Sequence, residues 1–139
     1  MPTVTTNIFR QSLALETITL SADTFTIALM YNYIPDNTSS TLKKITNWSQ
    51  VSSYEALGTN YTAADLSGSS VGTVTATDTV YWDGNNITWN NITTTTDGLC
   101  VYRSSDGLVV GFVEFSQDYA PVNGTFSIGW NTLGLMNIV

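Results

Sequence analysis

The chain has 139 residues, only 11% of them charged, with four Lys or Arg against eleven Asp or Glu for a net charge of −7. Histidine is absent and cysteine occurs once, which excludes a Ser-His or Cys-His nucleophile pair, an imidazole metal site, a zinc cluster and an intramolecular disulfide. Four cations neutralise few phosphates, so nucleic acid is not an expected partner, and no run of about 18 apolar residues marks a membrane span.

In chain order, the first signal is a short helix over Ile8–Leu15 with Asn7 as its cap, preceded by residues 1–6 as an N-terminal arm. Thr24–Asn32 alternates as a strand. Phe25, Ile27, Leu29 and Tyr31 point one way; the opposite set, Thr24, Thr26, Ala28 and Met30, is mixed and predicts that this face is covered in part too. Pro35-Asp36-Asn37 marks a turn. Leu42–Leu57 carries Ile45, Trp48, Val51, Tyr54 and Leu57 at spacings of three in a Ser/Thr-rich context. We expect an irregular segment pinned by Trp48, with one helical turn.

Gly58–Tyr61 and Ser67–Ser70 are breaks, and Val71–Thr77 and Thr79–Trp82 are strands. Asp83-Gly84-Asn85-Asn86 is the strongest hairpin signal, with Asn86–Asn91 as the return strand. A second Asp-Gly, at Asp106-Gly107, joins strands Leu99–Arg103 and Leu108–Phe115; Gly124–Trp130 is the last strand, and residues 133–139 form an apolar tail. Seven to eight short strands at this spacing, with no strand–helix–strand rhythm, predict one mainly β domain over residues 1–139. It would be an antiparallel sandwich or barrel-like fold with one short N-terminal helix.

Candidate chemistry is sparse. Asp83 and Asp97 flank an aromatic segment, the arrangement nearest to a glycosidase pair, yet each precedes a glycine and reads as a turn residue. Asp83-Gly-Asn-Asn lacks the spacing and the terminal Glu of a calcium loop. Trp82 and Trp89 are candidates for stacking on a sugar ring, against the commoner role of Trp in a core. Six Asn-X-Ser/Thr triplets begin at Asn37, Asn47, Asn60, Asn86, Asn91 and Asn123, in a chain whose 23 Thr and 14 Ser generate such triplets by composition. Cys100 lies in an apolar run and reads as a small core residue, and Lys43-Lys44 is the only basic pair. We therefore expect no enzyme activity, no catalytic residues, no cofactor and no metal.

The stretch Val80-Tyr-Trp-Asp, Ile87-Thr-Trp-Asn-Asn-Ile-Thr and Gly98-Leu-Cys-Val-Tyr102 resembles a family of small tailed-phage virion structural proteins of this length. Flanking features agree: the short helix and first strand, Gly58-Thr-Asn-Tyr-Thr-Ala63, and the closing strands Val110–Phe115 and Gly124–Ile128. Asp97 stands where the pattern has a basic residue, Asn60 replaces a glycine, and Asn37–Leu57 does not align. The resemblance implies a non-enzymatic capsid decoration (cement) protein or, alternatively, a tail or fibre component. A carbohydrate-binding or adhesion module is the third reading. The implied partners are the major capsid protein and other copies of the chain, as a homotrimer, on the outer capsid surface of a virion assembled from protein made in the host cytoplasm. Thr3, Val4 and Ile8 are the expected shell contacts, and Leu135, Met136 and Ile138 the expected seam between subunits.

Overall fold

The computed structural model describes residues 3–32, 39–74, 76, 79–130 and 136–138. The fold is mainly β, with antiparallel sheets and one helix near the N-terminus. Among the described residues the strands are β1 (Thr3–Thr5), β2 (Phe25–Met30), β3 (Gly58–Thr59), β4 (Ala64–Leu66), β5 (Ser70–Val74), β6 (Thr79–Asp83), β7 (Ile87–Thr94), β8 (Thr96–Arg103), β9 (Val109–Tyr119), β10 (Gly124–Ile128) and β11 (Met136–Ile138). The helices are α1 (Asn7–Ala14) and the single turn α2 (Ser39–Leu42). The strand number exceeds the seven or eight expected because β1, β3, β4 and β11 are only two or three residues long, too short to leave a periodic signal. The turn expected at Pro35-Asp36-Asn37 lies outside the described residues.

A five-stranded sheet ordered β1-β9-β8-β2-β4 forms the middle layer. Two three-stranded sheets, β10-β7-β3 and β11-β6-β5, complete the β structure. The central sheet is buried on both faces, as the mixed alternation of Thr24–Asn32 suggested: every residue of β2 is buried. One face sends Phe25, Ile27, Leu29, Leu99, Val101 and Val113 into a core shared with Trp82 of β6 and with Ile87, Trp89 and Ile92 of β7. The other face sends Met30, Cys100, Val109 and Phe112 into a second core with Val4, Leu42 and Val51. The segment 39–57 supplies that second cover. It is α2 followed by two 3-10 turns, Trp48–Gln50 and Ser52–Tyr54, which explains its spacing of three. Trp48 pins it by stacking on Tyr102, with ring centroids 4.7 Å apart and planes 10° apart.

The helix begins one residue earlier than expected. Thr6 is its N-cap: its Oγ1 accepts from the Phe9 N–H at 3.2 Å and donates to the Val109 carbonyl, so a buried hydroxyl ties the helix start to β9. Thr3–Thr5 pairs antiparallel with Val113–Gly111 as the terminal strand of the central sheet.

The two Asp-Gly pairs part company. At Asp106-Gly107 the expected hairpin forms between β8 and β9, with Gly107 at φ +79°. At Asp83-Gly84 it does not: β6 pairs with β5 and β11, whereas β7 pairs with β10 and β3, so the loop carries the chain from one small sheet to the other. Gly84 stands there for space, since a Cβ on it would lie 2.5 Å from Leu66 Cδ1.

Asn91 shows a local rule bent to serve the core. Ile92 lies three residues from Trp89, so a regular strand would turn it to the opposite face. Asn91 takes φ +54° and absorbs a register shift against β10, which returns Ile92 to the core side. Asn60 and Asn123 hold φ +59° and +47°. Three of the six Asn-X-Ser/Thr triplets thus sit where Asn tolerates left-handed backbone.

Candidate interaction surfaces

The expected contact residues are distributed as follows. Val4 is buried in the second core and Ile8 is half-buried on α1, so neither side chain is held out as part of a free arm. Thr3 sits in β1, opposite Val113. Met136 and Ile138 of β11 pair with Trp82 and Val80 of β6, while Leu135 lies outside the described residues. Val71, opposite Trp82 in β5, lies on the same face of the sheet as Trp82 and Val80. Val71 is 48% and Val80 37% exposed, so β5 and β6 continue past the core as an open apolar surface.

Stacking of a ligand on Trp82 or Trp89 is not what the fold provides. Trp82 is fully buried, packs edge-on against Phe25 at 4.7 Å and donates its indole N–H to Ser69 Oγ. Trp89 is 7% exposed and donates to the Thr62 carbonyl at 2.8 Å. Both rings serve the core, and their polar edges are satisfied internally.

Charge is segregated along the central sheet. All four cations lie near the end where β8 turns into β9. Arg103 closes β8; Arg10 donates to Thr5 Oγ1; the Lys43 backbone carbonyl accepts the Asn7 N–H at 2.9 Å, with Lys44 beside it. The Arg103 guanidinium bridges Asp106 at 2.8 Å and Asp23 at 3.3 Å and donates to the Thr17 carbonyl at 2.7 Å. Its hydrogen bond to Asp106, helped by its charge, holds that carboxyl below the usual range. Among the described residues no carboxylate pairs with Arg10, Lys43 or Lys44.

The opposite end of the sheet, about 20 Å away along β8, has carboxylates and no cation among the described residues. Glu55 bridges to Met30 at the end of β2, Asp97 lies at the start of β8, and Glu114 and Asp118 lie on β9. Burial pushes the Glu55 carboxyl above its ordinary value, partly opposed by the Tyr61 hydroxyl donating to it at 3.2 Å. That hydroxyl accepts the Leu29 N–H at 2.8 Å, so a half-buried carboxylate and phenol lock the 55–61 segment to β2. Burial also raises Asp97, against the Asn32 N–H it accepts at 2.9 Å and with help from Asp118.

At this acidic end lies an open groove of about 610 Å³ lined by residues 31, 53–59, 93–95 and 120–122. Its walls are cross-linked: the Thr94 hydroxyl donates to the Leu57 carbonyl at 2.9 Å, the Thr94 N–H to Pro121, and the Tyr31 N–H to Tyr54 at 2.9 Å. Leu57 and Val122 stand on its borders at 89% and 79% exposed. No motif pointed to this groove, because four distant segments build it.

Among the described residues no group of three His, Cys, Asp or Glu could hold a metal ion, and no helix is long and apolar enough to cross a membrane. Comparison with family models, with curated proteins and with solved structures returned no match.

Proposed function

We propose that the chain is a phage virion structural protein that decorates the outer surface of a capsid and reinforces the shell. The resemblance described above gives the class. The observation that carries the reading is the character of the terminal strands: β1 (Thr-Val-Thr) and β5 (Ser-Val-Gly-Thr-Val) end their sheets and bear no charged residue. Sheet edges of monomeric proteins are commonly blunted by Lys, Pro or a covering element. Uncharged terminal strands are suited to pairing in a repeated assembly.

In this reading the major capsid protein meets the end bearing β1, α1 and the unpaired cations. Thr3 contributes through the strand edge, Val4 holds that edge in place from the second core, and half-buried Ile8 on α1 adds to the contact. Self-association as a homotrimer uses the β11-β6-β5 face, with Met136 and Ile138 joined by Val71 and Val80. Repetition over the lattice turns modest contacts into avidity. An excess charge of −7 is repelled by packaged DNA and favours the outside of the shell. A tail or fibre position would use the same edges on a different partner.

The test is cosedimentation of the full chain with shells lacking it, followed by electron microscopy of the complex. Binding at regular lattice positions is expected, with Thr3→Lys weakening it and Val80→Lys shifting the mass measured by light scattering from trimer to monomer. Failure of the full-length chain to bind shells rules out the decoration role; tail-only density moves the protein to the tail.

A further inference from the structure

We infer that the groove at the acidic end of the central sheet is a binding site for an extended protein segment carrying an aliphatic side chain next to Lys or Arg. The inference is independent of the capsid reading and concerns the end of the molecule opposite β1 and α1.

Three observations carry it. First, exposed apolar surface concentrates here. Tyr54, Leu57 and Val122 line one groove, and Tyr119 lies next to its wall; all four are among the exposed large hydrophobic residues of the chain. Grouped exposed apolar residues of this kind mark interaction sites. Second, the walls are fixed before any partner arrives. Hydrogen bonds from Thr94 tie the 57 and 121 segments to β7, and the Asn123 N–H donates to Thr93 Oγ1 at 2.8 Å. A preformed site spends little binding energy on ordering itself.

Third, the surrounding charge selects the partner. Glu55 lines the groove, and Asp97 and Asp118 lie close enough to interact with each other at the same end. Every cation of the chain lies near the far end of the sheet. A segment bearing Lys or Arg gains from this field, and an acidic one is repelled. The aliphatic requirement follows from Leu57 and Val122, which offer no polar atom beyond the backbone. The extended form follows from β3: Gly58–Thr59 is the terminal strand of its sheet, borders the groove and is available for backbone pairing.

The experiment is an NMR titration of the 15N-labelled full chain with the peptide acetyl-Lys-Val-Lys-Val-Lys-amide, with acetyl-Glu-Val-Glu-Val-Glu-amide as its counterpart. The basic peptide is expected to give saturable shifts confined to amides around residues 55–59, 93–95 and 120–122. The double variant Leu57→Ser/Val122→Ser should weaken the apparent Kd about tenfold or more. Asp118→Asn should weaken it about threefold and flatten its salt dependence, while Val71→Ser, on another sheet, should leave it unchanged. The substituted positions are exposed, and an unchanged thermal melt confirms that each variant folds. Shifts spread over the whole acidic surface, equal binding of the Glu peptide, or indifference to the Leu57/Val122 variant would each overturn the proposal. Shifts at the groove that grow with protein concentration in the absence of peptide would assign it to a second copy of the chain instead.

Discussion

The two ends of the central sheet solve the same problem in opposite ways. Where β8 turns into β9, the charge of Arg103 is consumed internally: it spans Asp106, Asp23 and the Thr17 carbonyl, and so ties the hairpin to the segment leading into β2. Where β2 ends and β8 begins, the carboxylates face no cation, and Glu55 and Asp97 are held above their ordinary values by burial. At the first end the Arg103 cluster is closed on itself and contributes to folding, while Arg10, Lys43 and Lys44 have no carboxylate partner among the described residues. The second carries an unfavourable charge balance, which is common where a surface serves binding rather than stability.

The largest expected effect breaks the closed end. Arg103→Met leaves two carboxylates and a carbonyl without their donor and should cost about 2–4 kcal/mol in urea unfolding. Next is Gly58→Ala at the open end. A Cβ there would lie 1.9 Å from the Thr93 carbonyl oxygen, so β3 must separate from β7 at a cost of about 1–3 kcal/mol. The melt should fall, and the amide shifts should map to the groove rather than to Arg103.

Smaller effects carry the opposite sign. Glu55→Gln keeps a partner for the Tyr61 hydroxyl and removes a partly buried charge, so at neutral pH Tm should rise by about 1–3 °C. A fall in Tm would show that the carboxylate is stabilising. The smallest effect is in the pH profile. Because Glu55 and Asp97 have raised values in the folded chain, the native state holds their protons more tightly than the unfolded state does. Their contribution therefore improves as pH falls through the raised values. Asp106 is lowered, so its contribution is complete above the ordinary carboxylate range and disappears only as pH falls through its depressed value. Stability should thus rise slightly from about pH 7 to about pH 5 and drop under stronger acid. A monotonic fall from neutral pH would contradict the assigned asymmetry.

How far the sequence speaks for the fold is clearest in the repeated Asp-Gly. Both copies announce a turn, and the turn residues alone cannot say which strands will pair across it. Asp106-Gly107 joins neighbours; Asp83-Gly84 separates two sheets, because Val71 and Met136 occupy the positions flanking Trp82. The helix, the long strands and the double cover of β2 were legible, since each rests on local periodicity. The groove was not, because Leu57, Thr94, Pro121 and Tyr31 meet only through tertiary pairing. For Trp82 and Trp89 the sequence left two roles open, the commoner core role and ligand stacking, and the layers placed over them decide for the core.

The double cover of the central sheet also sets a clock. Cys100 sits on the inner strand β8 with no exposed surface, beneath the 39–57 segment, and burial pushes its thiol well above the usual value. A thiol reagent therefore has to wait for the sheet to be uncovered. If labelling of Cys100 proceeds at the rate of global unfolding, the second layer opens only with the whole domain; if it is faster, segment 39–57 lifts on its own. The single cysteine thus supplies a built-in kinetic probe that distinguishes peeling of one layer from collapse of the whole.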